Sequence, residues 1–226
     1  MQISQWNQRS PRVYRYLEKE HVDDFFASGR LMLSSFARFA THADEQRLDL
    51  KEGKTFLVHR TENNGGQTLV VEMDFGHDAY VLCGSLLPSI NLMSSFNTNS
   101  GIIIKDVAGF ANSVAKALQG FRLGFDGPCS YQNRRIIEQD LGWLDLGPTE
   151  ETDDISKFNN EVLNQTLSNL VCPDVYFLKH HSYVSQAEWR LVWLVNHDVE
   201  RNILIEVPDA RQFCERWDDQ GVVVSF

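Results

Sequence analysis

Gln186, Glu188 and Arg190 stand two residues apart within the run Ser185 to Val195. A strand's side chains alternate between faces, so this spacing puts an amide, a carboxylate and a guanidinium side by side. Ala187, Trp189, Leu191, Trp193 and Val195 form the opposite, apolar face. The polar face itself turns apolar only at Val192 and Leu194, which locates any open cleft at the strand's beginning. Polar groups gathered at the mouth of a cleft are candidates for contact with a ligand. The plain alternative is a solvent-facing Glu188–Arg190 pair on a half-exposed sheet, worth little energetically.

Two further segments offer polar groups on short strands. Val13-Tyr14-Arg15-Tyr16 carries an arginine within an early apolar run, and a guanidinium fork holds phosphate oxygens at two points while staying charged at any working pH. Its alternative is a surface arginine beside Glu18 and Glu20. Tyr80-Val-Leu-Cys-Gly-Ser85 ends an apolar strand in a hydroxyl, whose alternative is a turn serine.

Elements with period-two or period-3.6 patterning must carry these groups. Strands are expected at Val13 to Leu17, around Leu31 and Leu33, at Thr55 to Arg60, Gln67 to Asp74, Tyr80 to Cys83, Ile102 to Lys105, Val175 to Lys179, Ala187 to Val195, Ile203 to Val207 and Val222 to Phe226. The turn residues Asn63-Asn64-Gly65-Gly66 make the third and fourth of these a hairpin. Helices are expected after Leu17 up to a Gly29 cap, from an Asp106 cap through Val107, Phe110 and Val114 to Gly120, from about Asp154 to Leu170, and near Ala210 to Trp217. Ser35 to Gly53 reads as a long irregular loop. Without a regular βαβ period the fold class is α+β, and residues 1–226 read as one domain.

Composition narrows the function classes. Lys and Arg number 21 against 31 Asp and Glu, a net charge of −10 that disfavours non-specific duplex DNA binding. Cys83, Cys129, Cys172 and Cys214 form no CxxC pair and read as buried small hydrophobes, not zinc ligands. Met1 to Arg15 has no secretory pattern, and no apolar run approaches the roughly 20 residues of a membrane span, so a cytoplasmic chain without membrane contact is expected. His180 and His181 are adjacent and diverge on a strand, so no metal centre is expected there. The chain has no GxxxxGK[ST], GxGxxG or GxSxG motif, and Asp49 with Glu52-Gly-Lys54 lies in a polar loop unsuited to a carboxylate nuclease.

Gln186-x-Glu188 resembles the catalytic strand motif of ADP-ribosyltransferases of the Arg-Ser-Glu class, with Arg15 resembling the class's opening arginine and Ser85 a reduced form of its middle serine motif. Cys83 and Gly84 stand where a fuller Ser-Thr-Ser pattern would place Ser and Thr. Most of the chain also resembles a widespread family of uncharacterised bacterial domains that looks ADP-ribosyltransferase-like, through Tyr14-Arg15-Tyr16, Gly29-Arg-Leu-Met-Leu-Ser34 and Lys179…Tyr183…Glu188-Trp-Arg190. The resemblance implies mixed or antiparallel sheets around a cleft with flanking helices. NAD would be the substrate, with no metal, and an unidentified protein or nucleic acid the acceptor.

In that scheme Glu188 is catalytic, and Gln186 directs an acceptor such as a side-chain amide or a guanine base. Arg15, Tyr16, Ser85 and Tyr183 contact NAD, with Tyr16, Phe36, Phe39 or Tyr183 offering a face to nicotinamide. Relatives of such folds include toxins and phage-defence effectors, so a cognate inhibitor protein belongs to the expectation. The rival is a non-enzymatic acidic binding module, such as an antitoxin, immunity or adaptor protein, whose charge complements a basic partner.

Overall fold

The computed structural model describes residues 10–39, 53–60, 68–138 and 173–218. The expected loop beyond Phe39, the Asn63–Gly66 turn, the helix from Asp154 to Leu170, Cys172 and the strand from Val222 to Phe226 lie outside the described residues.

The chain opens with β1 (Val13–Leu17) and α1 (Lys19–Ser28), whose buried Val22 and Phe25 face the sheet. Gly29 ends the helix at φ 80°, its N–H donating to the Phe25 carbonyl. A Cβ there would stand 2.4 Å from the Pro208 nitrogen, so both conformation and space require glycine. Then follow β2 (Arg30–Ser35), the short α2 (Phe36–Phe39), the hairpin β3 (Lys54–Arg60) and β4 (Thr68–Asp74), and β5 (Ala79–Ser85). α3 (Ile90–Ser95) and β6 (Ser100–Ile104) precede α4 (Val107–Ala117), which starts where the Asp106 carboxylate accepts the Gly109 N–H at 2.9 Å.

β7 (Phe121–Pro128), β8 (Ser130–Gln132), β9 (Ile136–Glu138), β10 (Leu178–His180), β11 (Glu188–Val195), β12 (Ile203–Glu206) and β13 (Cys214–Asp218) complete the strands, with 3₁₀ turns at Pro173–Phe177, His181–Gln186 and Pro208–Phe213. The main sheet runs β12-β2-β5-β1-β6-β13, with β11 and β7 attached beside β5. All its pairings are antiparallel. β9 joins β3 and β8 joins β10 as parallel pairs, so the molecule is α+β with a mainly antiparallel sheet.

β11 anchors this architecture because both of its faces are covered. Leu191, Trp193 and Val195 enter the core beneath α1 and α4, where the Trp193 indole donates to the Ala111 carbonyl at 3.0 Å. Val192 and Leu194 enter a second core with Phe36, Phe75 and Tyr176. Each such side chain contributes about 1.5–3 kcal/mol through burial.

Three expectations are corrected. Val175 to Phe177 is a 3₁₀ turn, with only Leu178–His180 extended. That turn packs three consecutive side chains inward and points the Tyr176 carbonyl at Arg190. The expected final helix splits into a 3₁₀ turn and β13, because β6 is buried throughout and its second edge needs a hydrogen-bonding strand, which Cys214–Asp218 supplies. β11 begins at Glu188 instead of Ala187: Ala187 sits in the left-handed region at φ 41°, ψ 51°, and Gln186 belongs to the preceding 3₁₀ turn.

The feature that makes a site is a fork. β5 pairs with β11 from Ala79 to Ser85, but its other edge is divided: Tyr80 and Val81 pair with β2, whereas Ser85 pairs with β1. β1 and β2 therefore diverge over Leu82, Cys83 and Gly84.

Candidate functional site

A cavity of about 510 Å³ lies at this fork, and Arg15, Tyr16, Ser85, Tyr183, Gln186 and Glu188 all line it. Its walls also carry Arg30, Lys179, Glu18 and Asp24, so three cations and three carboxylates face a space on a chain of net charge −10. The lining is locally neutral and open to an anionic ligand that the far field would repel.

Glu188 is 5% exposed and is held on both oxygens. Arg190 donates from Nε to Oε1 at 2.6 Å, Lys179 donates from Nζ to Oε2, and the Cys129 thiol lies 3.6 Å from Oε1. Burial pushes the Glu188 carboxyl up, but the charges and hydrogen bonds of Lys179 and Arg190 outweigh it and hold the group well below the usual carboxylate range. Its backbone is fixed as well: the Glu188 N–H donates to the Tyr131 hydroxyl at 2.6 Å, and its carbonyl accepts the Cys129 N–H at 2.9 Å. Arg190, 1% exposed, reaches behind the carboxylate to the Tyr176 carbonyl at 2.7 Å and over the Phe36 ring. The Glu188–Arg190 pair is thus buried and not a solvent-facing pair.

Arg15 spans the fork, donating from Nη2 to the Met32 carbonyl of β2 at 2.9 Å. Tyr16 and Ser85 shape the wall. The Tyr16 hydroxyl donates to the Leu87 carbonyl at 2.6 Å and accepts the Ser89 N–H, while the Ser85 hydroxyl accepts the Leu87 N–H at 3.0 Å. Together they fix residues 86–89, whose Leu86 N–H is bonded to the Ala187 carbonyl. Burial raises the Tyr16 phenol, keeping it a neutral donor.

Among the aromatic faces expected for stacking, Phe36 is buried against Arg190, Phe75 and Tyr176, and Tyr16 packs against Phe96 and Trp217. Tyr183 lies under the Lys179 ammonium at 5.0 Å, and the Phe39 side chain lies outside the described residues.

Gln186 is buried and reaches the cavity through the left-handed Ala187 link, not along a shared pleat with Glu188. Gly84 has a packing reason: a Cβ there would stand 2.4 Å from Val13 Cγ1, which excludes the fuller serine motif while β1 lies this close. Sequence reasoning did not assign Lys179, Cys129 or Tyr131 to the site. Lys179 alone carried a signal, through its place in the Lys179…Tyr183…Glu188-Trp-Arg190 pattern and as the charged residue closing the apolar run Val175 to Leu178.

Cys129 and Cys214 are buried and Cys83 is half-buried, and burial pushes all three thiols up, leaving them neutral. Among the described residues Glu18, Glu20 and His21 come close enough to share a cation, all exposed. No helix among the described residues is long and apolar enough to cross a membrane. Comparison with family profiles, curated proteins and solved structures finds no match to the chain.

Proposed function

We propose that the chain transfers ADP-ribose from NAD, with Glu188 as the catalytic carboxylate. The observation that carries this reading is that Arg15, Ser85, Gln186 and Glu188, drawn from three separate segments, line one cavity at the β1/β2 fork. Departure of nicotinamide leaves positive charge on the ribose, and an ionised carboxylate fixed beside it lowers the energy of that state more than of the bound substrate. Lys179 and Arg190 keep Glu188 ionised at neutral pH, and its orientation is set before substrate arrives. As an acceptor-only group it would take a hydrogen bond from a ribose hydroxyl. The Arg15 guanidinium suits the pyrophosphate, and the Gln186 amide suits the incoming nucleophile. Tyr16 and Ser85 support the reading as wall-forming residues.

A non-enzymatic acidic module, the rival reading, has no need of a buried carboxylate at the wall of a cavity. The experiment is incubation of the protein with NAD labelled in the adenylate phosphate and a cell lysate. Label retained on a macromolecule, and removed by protease or nuclease, is the expected result and names the acceptor class. Intact NAD after prolonged incubation overturns the proposal, and release of free ADP-ribose alone redirects it to hydrolysis.

A further inference from the structure

The two oxygens of Glu188 are held from different sides. Arg190, which grips Oε1, stands behind the carboxylate against Tyr176 and Phe36 and does not line the cavity. Lys179, which grips Oε2, lines the cavity together with Glu188 and with Tyr183, whose ring it overlies. One grip is therefore fixed within the core and the other is exchangeable, since an ammonium has three donors on a flexible stem and can turn from one acceptor to another. Whatever replaces it at Oε2 must be a hydrogen-bond donor, because the ionised carboxylate only accepts. A donor that displaces the ammonium without supplying an anion strands a cation in a largely buried wall, which is costly.

We propose that Lys179 is a ligand-binding residue of this cavity: it takes an anionic oxygen of the ligand while a neighbouring ligand hydroxyl takes its place at Glu188 Oε2. The ligand class is a sugar phosphate, with a hydroxyl and a phosphate on the same pentose. This rests on the NAD reading above and deepens it, assigning Lys179 to the phosphate on the ribose that bears nicotinamide and leaving Arg15 to the rest of the pyrophosphate. Tyr183 fits the same scheme as the face that guides the ammonium between its two acceptors.

Nicotinamide mononucleotide and nicotinamide riboside differ only by that phosphate, so the pair isolates the contact. Both are titrated calorimetrically into the native protein, K179M and K179R, with NAD alongside and circular dichroism as the folding check. The native protein is expected to bind the mononucleotide roughly thirtyfold or more tighter than the riboside, K179M to lose that preference, and K179R to keep part of it. Equal binding of the two by the native protein overturns the proposal without any variant. A preference that survives intact in folded K179M also overturns it, reducing Lys179 to a prop for Glu188. A phosphate preference lost in folded K179M, with no NAD turnover, would sustain the Lys179 assignment while sinking the transferase reading, whereas NAD turnover with no preference does the reverse.

Discussion

Replacing Glu188 with Gln removes one negative charge from a site where Lys179 is 9% and Arg190 1% exposed. The amide is nearly isosteric, so packing is preserved and the loss is electrostatic. Gln keeps one acceptor oxygen for Arg190 but turns a donor toward Lys179, leaving a cation facing an N–H group in a low-dielectric wall. Removing one member of a buried ion pair costs about 3–5 kcal/mol, a large share of the 5–15 kcal/mol that typically holds a domain folded. For a chain of this size that corresponds to a fall in melting temperature of about 6–20 °C. Urea and thermal unfolding of native protein and Glu188→Gln measure it directly. Adding Lys179→Met to Glu188→Gln removes the stranded ammonium and should recover part of the loss, a non-additivity that independent sites would not show. A Glu188→Gln loss under about 1 kcal/mol would refute the argument, since that is the value of a solvent-screened surface pair.

Other expectations follow from the same geometry. Because the Glu188 carboxyl is held below its unfolded value of about 4.3, its contribution is present at neutral pH and is lost progressively as pH falls below that value towards the lower folded one; native protein should therefore lose stability on acidification more steeply than Glu188→Gln. Parallel melts from pH 7 to pH 3 check this, and superimposable pH profiles would contradict it. Ala187→Gly should be neutral or stabilise by up to about 1 kcal/mol, because it relieves a left-handed alanine, whereas Ala187→Val should destabilise; a large loss in the glycine variant would show that the link is not strained. Arg15→Gln should weaken NAD binding tenfold or more, by roughly the 1.5–3 kcal/mol of a charged hydrogen bond, while moving the melting temperature little; unchanged affinity would remove Arg15 from the site. Cys129 and Cys214 should react with iodoacetamide at pH 8 only after denaturant is added, and rapid native labelling of either would contradict their burial.

Much of the fold was legible because its strands and helices carry strong patterns. The Asp106 cap, the Gly29 terminator and the Leu191–Trp193–Val195 stripe each arise from residues that local physics constrains tightly. What was not legible depends on long-range demands. β13 is a strand because β6, far earlier in the chain, needs a second hydrogen-bonded neighbour, although Ala210, Phe213, Cys214 and Trp217 are spaced as a helix face. Phe121–Pro128 carries few strand signals of its own, and it extends because the exposed edge of β11 has a ladder to offer.

In the candidate site, the polar spacing of Gln186, Glu188 and Arg190 drew attention to a segment that lines the cavity while mistaking its geometry. The left-handed Ala187 breaks the pleat, and only the fold shows that Arg190 turns inward behind Glu188 while Lys179 meets it from β10. Tyr16 and Ser85 entered only through the resemblance, and their bonds to Leu87 and Ser89 arise from a loop whose course no local pattern fixes.

The most direct test of the central claim is nicotinamide release from NAD by native protein and by Glu188→Gln, assayed at a temperature where circular dichroism shows both folded. With cell lysate supplied as acceptor and a lysate-only control subtracted, the account predicts measurable turnover by the native protein and a fall of about 10²-fold or more in the variant, in line with the removal of one charge-stabilising group from an active site. Equal turnover by folded Glu188→Gln, or native protein that leaves millimolar NAD intact, would contradict it.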